Sequence, residues 1–68
     1  MTDILALAQF TAEEKYKEAL RELAMRKRLY PRWVEKGAMT ATDAARKIEI
    51  MEAIAADYAQ AAQQELLL

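Results

Sequence analysis

Residues 31–44 read PRWVEKGAMTATDA, and this stretch decides the fold. Gly37, the single glycine of the chain, follows a run of good helix formers, where a left-handed C′ residue ends a helix. Lys36 just before it suits the negative end of the helix dipole. Beyond it, Thr40 or Thr42 offers the N-cap of a new helix; Thr40 is preferred because Asp43 then falls at N3. Ala38 and Met39 leave only a tight connection. Two long helices joined so closely pair antiparallel.

Upstream, Thr11 and Glu14 form the T-x-x-E pattern of a capping box, with Glu13 adding negative charge at the positive end of the dipole. Residues 11–36 then read as one helix, interrupted in pattern by Pro31. A proline there lacks the N–H that would bond the Lys27 carbonyl and crowds that oxygen. Two outcomes follow: one helix bent near Tyr30, or a first helix ending near Leu29 and a short one starting at Pro31. Leu23, Tyr30 and Val34 keep their spacing through the proline, which favours the bent helix. Residues 1–10 are an apolar lead-in containing Ile4, Leu5, Leu7 and Phe10, with Thr2 or Asp3 available as a cap.

Downstream, Ala44, Ile48, Met51, Ala55, Tyr58 and Ala62 alternate in spacings of four and three, a heptad seam along a helix over 40–66. The matching inward stripe on the first helix is Tyr16, Leu20, Leu23, Tyr30 and Val34, with Ala19 at its edge. Lys27 falls within it, its stem packing while its ammonium reaches water. The expected architecture is therefore all-α: a single domain over 1–68, an antiparallel two-helix hairpin with turn 37–39, an apolar N-terminal segment and a kink near Pro31.

One hairpin does not cover all of this apolar surface. Ile50 and Ile54 lie outside the seam; with Met51 and Ala61 they widen the apolar arc of the second helix to about 160°. Burying one such isoleucine is worth about 1.5–3 kcal/mol. A core of this size supplies only about 3–5 kcal/mol in all. The lead-in segment reaches Ala61 and Leu66 rather than Ile50. The pattern predicts a homodimer forming a four-helix arrangement, with Ile50, Met51, Ile54, Tyr58 and Ala61 at its interface.

Ten basic and eleven acidic side chains leave a net charge of -1, so no global field draws the chain to nucleic acid. Six of the ten basic residues fall between Arg21 and Lys36. Arg21, Arg28, Arg32 and Lys36 share the face opposite the core. Such a stripe meets phosphates or an acidic protein surface, or is a solvated face partly compensated by Glu14, Glu18 and Glu35. Trp33 lies roughly 100° round from the inward stripe. It either anchors a partner as an aromatic hot spot or caps the hairpin end on Met39 and Ala44.

Catalysis finds no footing. The chain has neither serine, histidine nor cysteine, so the usual nucleophile–base sets are missing and a zinc site would need carboxylates alone. Glu49, Glu52 and Asp57 are spaced like surface charges. No cofactor is expected. With no basic n-region ahead of Asp3 and no apolar run near the roughly 20 residues that span a bilayer, the sequence reads as intracellular, without membrane insertion.

The stretch MRKRLYPRWVEKG (residues 25–37), followed by AARKIEIMEAIAADY (44–58), resembles small proteins encoded by phages and prophages of proteobacteria. In these, basic residues and YPRWV-x-x-G precede a helix carrying I-x-x-MEAI-x-x-DY. Size and hairpin also look like the small phage anti-activators of bacterial quorum sensing. Those are dimeric helical inhibitors that bind the DNA-binding region of a host transcriptional activator, and also a pilus-assembly ATPase. The resemblance implies a non-enzymatic protein of the host cytoplasm that binds and inhibits a host protein. It carries over no residues; Arg21, Arg28, Arg32, Trp33 and Lys36 are the partner-binding candidates read from the basic face and the tryptophan beside it in sequence. The second reading is a nucleic-acid-associated accessory protein of phage replication or recombination. A purely structural role in a larger assembly is a third.

Overall fold

The computed structural model describes residues 9–67: two helices, α1 (Ala12–Glu35) and α2 (Ala41–Leu67), folded into a hairpin. Local chemistry sets each boundary. Thr11 is extended, its hydroxyl accepts the Glu14 N–H at 3.1 Å, and the Glu14 carboxylate accepts the Thr11 N–H at 3.2 Å, completing the capping box. Thr40 caps α2 likewise, its hydroxyl accepting the Asp43 N–H at 3.1 Å.

The turn is a Schellman motif. The Ala38 N–H donates to the Trp33 carbonyl at 2.9 Å and the Gly37 N–H to the Val34 carbonyl at 3.0 Å. This geometry places Gly37 at φ +77°, where a side chain is strained although the space around its Cα is open.

Pro31 lies inside α1, and the helix runs through it without a break. The two-piece alternative, ending near Leu29, is thereby excluded. The proline ring is solvent-exposed, so it is accommodated without entering the packed face.

The molecule measures 45 × 27 × 15 Å. A helix with its side chains is about 10–12 Å across, so among the described residues the hairpin is a single layer in which α1 and α2 are each other's neighbour. The core is correspondingly thin: Ala19, Met51 and Ala55 meet at its centre, with Tyr16 and Leu23 packed against them. Ala12, Tyr30 and Ala44 extend it toward the ends. The seam on α2 is the expected one, but the stripe on α1 is rotated. Ala19, expected at the edge, is 5% exposed, whereas Leu20 is 41% exposed. Ala19 meets Met51 and Ala55 in the core, small side chains of the kind that permit close helix approach, and Leu20 lies to the outside.

Candidate interaction surfaces

Two surfaces stand out on this frame, one near the turn and one along α2. At the turn end, Tyr30 is buried and supports Trp33, their ring centroids 5.3 Å apart with planes at 34°. Trp33 itself remains 38% exposed. The indole packs against Tyr30, one helical turn away.

The basic segment divides into structural and available charges. Arg26 ties the hairpin together: its Nη1 donates to the Lys47 carbonyl on α2 at 2.8 Å and its Nε to Glu22 at 2.9 Å. Its guanidinium also lies 6.0 Å from the centre of the Tyr30 ring. Lys27 crosses to Glu52 at 3.3 Å. Arg21 is taken by Glu18 at 2.8 Å. That hydrogen bond, and the charge behind it, hold the Glu18 carboxyl below its ordinary value and raise Arg21 above its own. Arg28, Arg32 and Lys36 form no ion pair among the described residues and are all exposed. The stripe of four cations thus reduces to three available ones, with Arg21 neutralised at its far end.

Along α2, Ile50 is 46% and Ile54 37% exposed. Ile54 and Tyr58 border a shallow groove whose other wall is Lys15, Ala19 and Glu22 of α1, with Met51 at its base. The Lys15 ammonium lies 5.9 Å from the centre of the Tyr58 ring. Met51, grouped above with the interface residues, is only 7% exposed and belongs to the hairpin's own core. Tyr58 and Ala61 are half-buried.

One contact that pattern reading missed secures the open end. Both Glu65 carboxylate oxygens accept the Ala12 N–H, at 3.1 and 3.0 Å. A helix N-terminus has unpaired N–H groups and partial positive charge, and here a carboxylate from the opposite helix serves it. Hairpin register alone points to Glu65, because it brings the last turn of α2 beside the first turn of α1. The reach of the N-terminal segment toward Ala61 and Leu66 lies largely outside the described residues; within them, Phe10 and Leu66 are both exposed.

Among the described residues, no helix is long and apolar enough to cross a membrane, and no three metal-binding side chains cluster. Comparison with protein-family models, with curated proteins and with solved structures finds no match to this chain.

Proposed function

We propose that this chain is a non-enzymatic phage or prophage protein that binds and inhibits a host protein through the turn end of its hairpin, working as a homodimer. The observation that carries this reading is that Arg28, Arg32 and Lys36, exposed and without an ion pair among the described residues, lie on the turn-end half of α1 and its C-cap, the segment that also carries Trp33, packed on Tyr30 and 38% exposed. An aromatic ring on a segment that also carries three unpaired cations suits an acidic protein surface with a pocket for the indole. The likeness in size and hairpin to the phage anti-activators makes a quorum-sensing transcriptional activator or a pilus-assembly ATPase of the bacterial cytoplasm the target class. The missing serine, histidine and cysteine favour binding over turnover. Ile50 and Ile54, with Tyr58 and Ala61 beside them, form the dimer face, and Met51 supports it from beneath.

The test is affinity capture from host lysate with the natural chain and with a Trp33→Ala, Arg32→Glu variant. A stoichiometric protein held by the first and lost by the second is the expected outcome. Capture of no stoichiometric protein, or equal capture by both, sinks the reading.

The three unpaired cations favour one other reading, contact with a phosphate backbone. It requires binding to DNA or RNA at low salt that weakens as salt rises and as Arg28 and Arg32 are neutralised. No shift with single- or double-stranded DNA at low salt ends it.

A further inference from the structure

Four side chains of α2 share one flank, roughly 100° round from the face packed on α1: Lys47, Ile50, Ile54 and Asp57. All four are exposed, and neither Lys47 nor Asp57 forms an ion pair among the described residues. Their spacing is three, four, three, with the lysine three residues before one isoleucine and the aspartate three after the other. That is the spacing of alternating a and d positions. The order is charge, apolar, apolar, opposite charge.

We propose that two copies of this chain pair through α2 in one antiparallel register. Ile50 of each chain packs on the partner's Ile54, and Lys47 of each meets the partner's Asp57. This rests on the homodimer reading above and specifies it. A two-fold axis makes every contact occur twice, so a single lysine and a single aspartate yield two ion pairs bracketing a four-isoleucine centre. Competing registers are penalised by the same residues. Parallel pairing sets lysine on lysine and aspartate on aspartate. A slip of one heptad sets Ile54 against the partner's Asp43 or Asp57. Charged residues bracketing an apolar seam fix register in this way. An angle of roughly 100° between the two contact faces of α2 is also what a helix needs to touch two neighbours in a four-helix arrangement.

The experiment is a charge swap read by sedimentation equilibrium on the full chain, with far-ultraviolet circular dichroism confirming unchanged helicity. Lys47→Asp or Asp57→Lys alone should weaken the dimer roughly tenfold, since two pairs turn from attractive to repulsive. The combined swap should restore it to within about threefold. A second measurement exploits the absence of native cysteine: a chain carrying both Lys47→Cys and Asp57→Cys should oxidise to a reductant-sensitive covalent dimer. The two sites lie about 15 Å apart along one helix and cannot bridge each other within a chain. A natural chain that stays monomeric overturns both the register and the homodimer. A dimer broken by Ile54→Glu but indifferent to the charge swaps keeps the homodimer and overturns the register. A dimer indifferent to Ile54→Glu as well places the interface elsewhere and overturns it too.

Discussion

Two stripes of α2 differ in a way that inverts the usual rule of burial. On the stripe facing α1, Ala44, Met51 and Ala55 are 4–7% exposed. On the neighbouring flank, Ile50 and Ile54 are 46% and 37% exposed. The hairpin buries mainly alanine and leaves isoleucine in water, although isoleucine gains far more from burial. Each stripe is suited to a different neighbour. Alanines at the first allow close approach to α1, at the cost of a thin core. In the proposed dimer the isoleucines hold the burial that a second chain realises.

The sharpest way to break this comparison is to enlarge the covered stripe. Ala55→Leu forces a larger side chain into the closest contact with Ala19 and Met51, where overpacking costs about 1–3 kcal/mol. Against the roughly 3–5 kcal/mol of a domain this small, that removes most of the stability. Thermal denaturation followed by circular dichroism should show it at every protein concentration. A melting temperature unchanged by the leucine means the alanine contact is looser than described.

Shrinking the open stripe tests the other side. Ile50→Ala with Ile54→Ala truncates side chains that are 46% and 37% exposed, so it costs the hairpin less than a core truncation, and it improves helix propensity slightly. In dilute solution its melting temperature should match the natural chain's. At concentrations where dimer forms, the natural chain should melt higher by several degrees, equivalent to about 1–2 kcal/mol, and the variant should not. Identical concentration dependence in both chains removes the isoleucines from the interface.

Much of this architecture was legible because its determinants are local. The Thr11–Glu14 capping box, the Gly37 reversal, the Thr40 cap and the α2 seam each depend on residues a few positions apart. The compensation of the four-cation stripe by Glu18, a local pair, was legible; it falls on Arg21 and leaves Arg28, Arg32 and Lys36 without an ion pair among the described residues. Where contacts join distant positions, legibility failed. Periodicity placed Leu20 inside and Ala19 at the edge, but packing against α2 decides that rotation. Arg26, read only as one more basic residue, ties α1 to the Lys47 carbonyl.

Glu65 offers a milder perturbation of the covered stripe, acting at its end rather than within it. Glu65→Gln keeps an acceptor for the Ala12 N–H but removes the charge beside the α1 N-terminus, costing about 1 kcal/mol. Amide hydrogen exchange should quicken in the first turn of α1 and not at the Gly37 end. Uniform quickening along both helices would show that the open end is coupled to the whole hairpin, making the covered stripe a single cooperative unit.

The smallest effect belongs to Glu18, outside both stripes and paired only with Arg21. Its folded-state pKa is lowered, first by the hydrogen bond and then by the charge of Arg21. Folding therefore favours the ionised form. Its contribution is present above the unfolded carboxyl's pKa and is lost as pH falls through the lower folded value. The pair is fully solvated, so salt and side-chain entropy leave little of it. Glu18→Gln should leave the melting temperature at neutral pH essentially unchanged and flatten a slight acid-side decline present in the natural chain. The variant also frees Arg21, lengthening the available cationic stripe without touching the hairpin core. Tighter capture of an acidic partner by this variant would place that partner along the length of the stripe; unchanged capture would confine it to the turn end around Trp33.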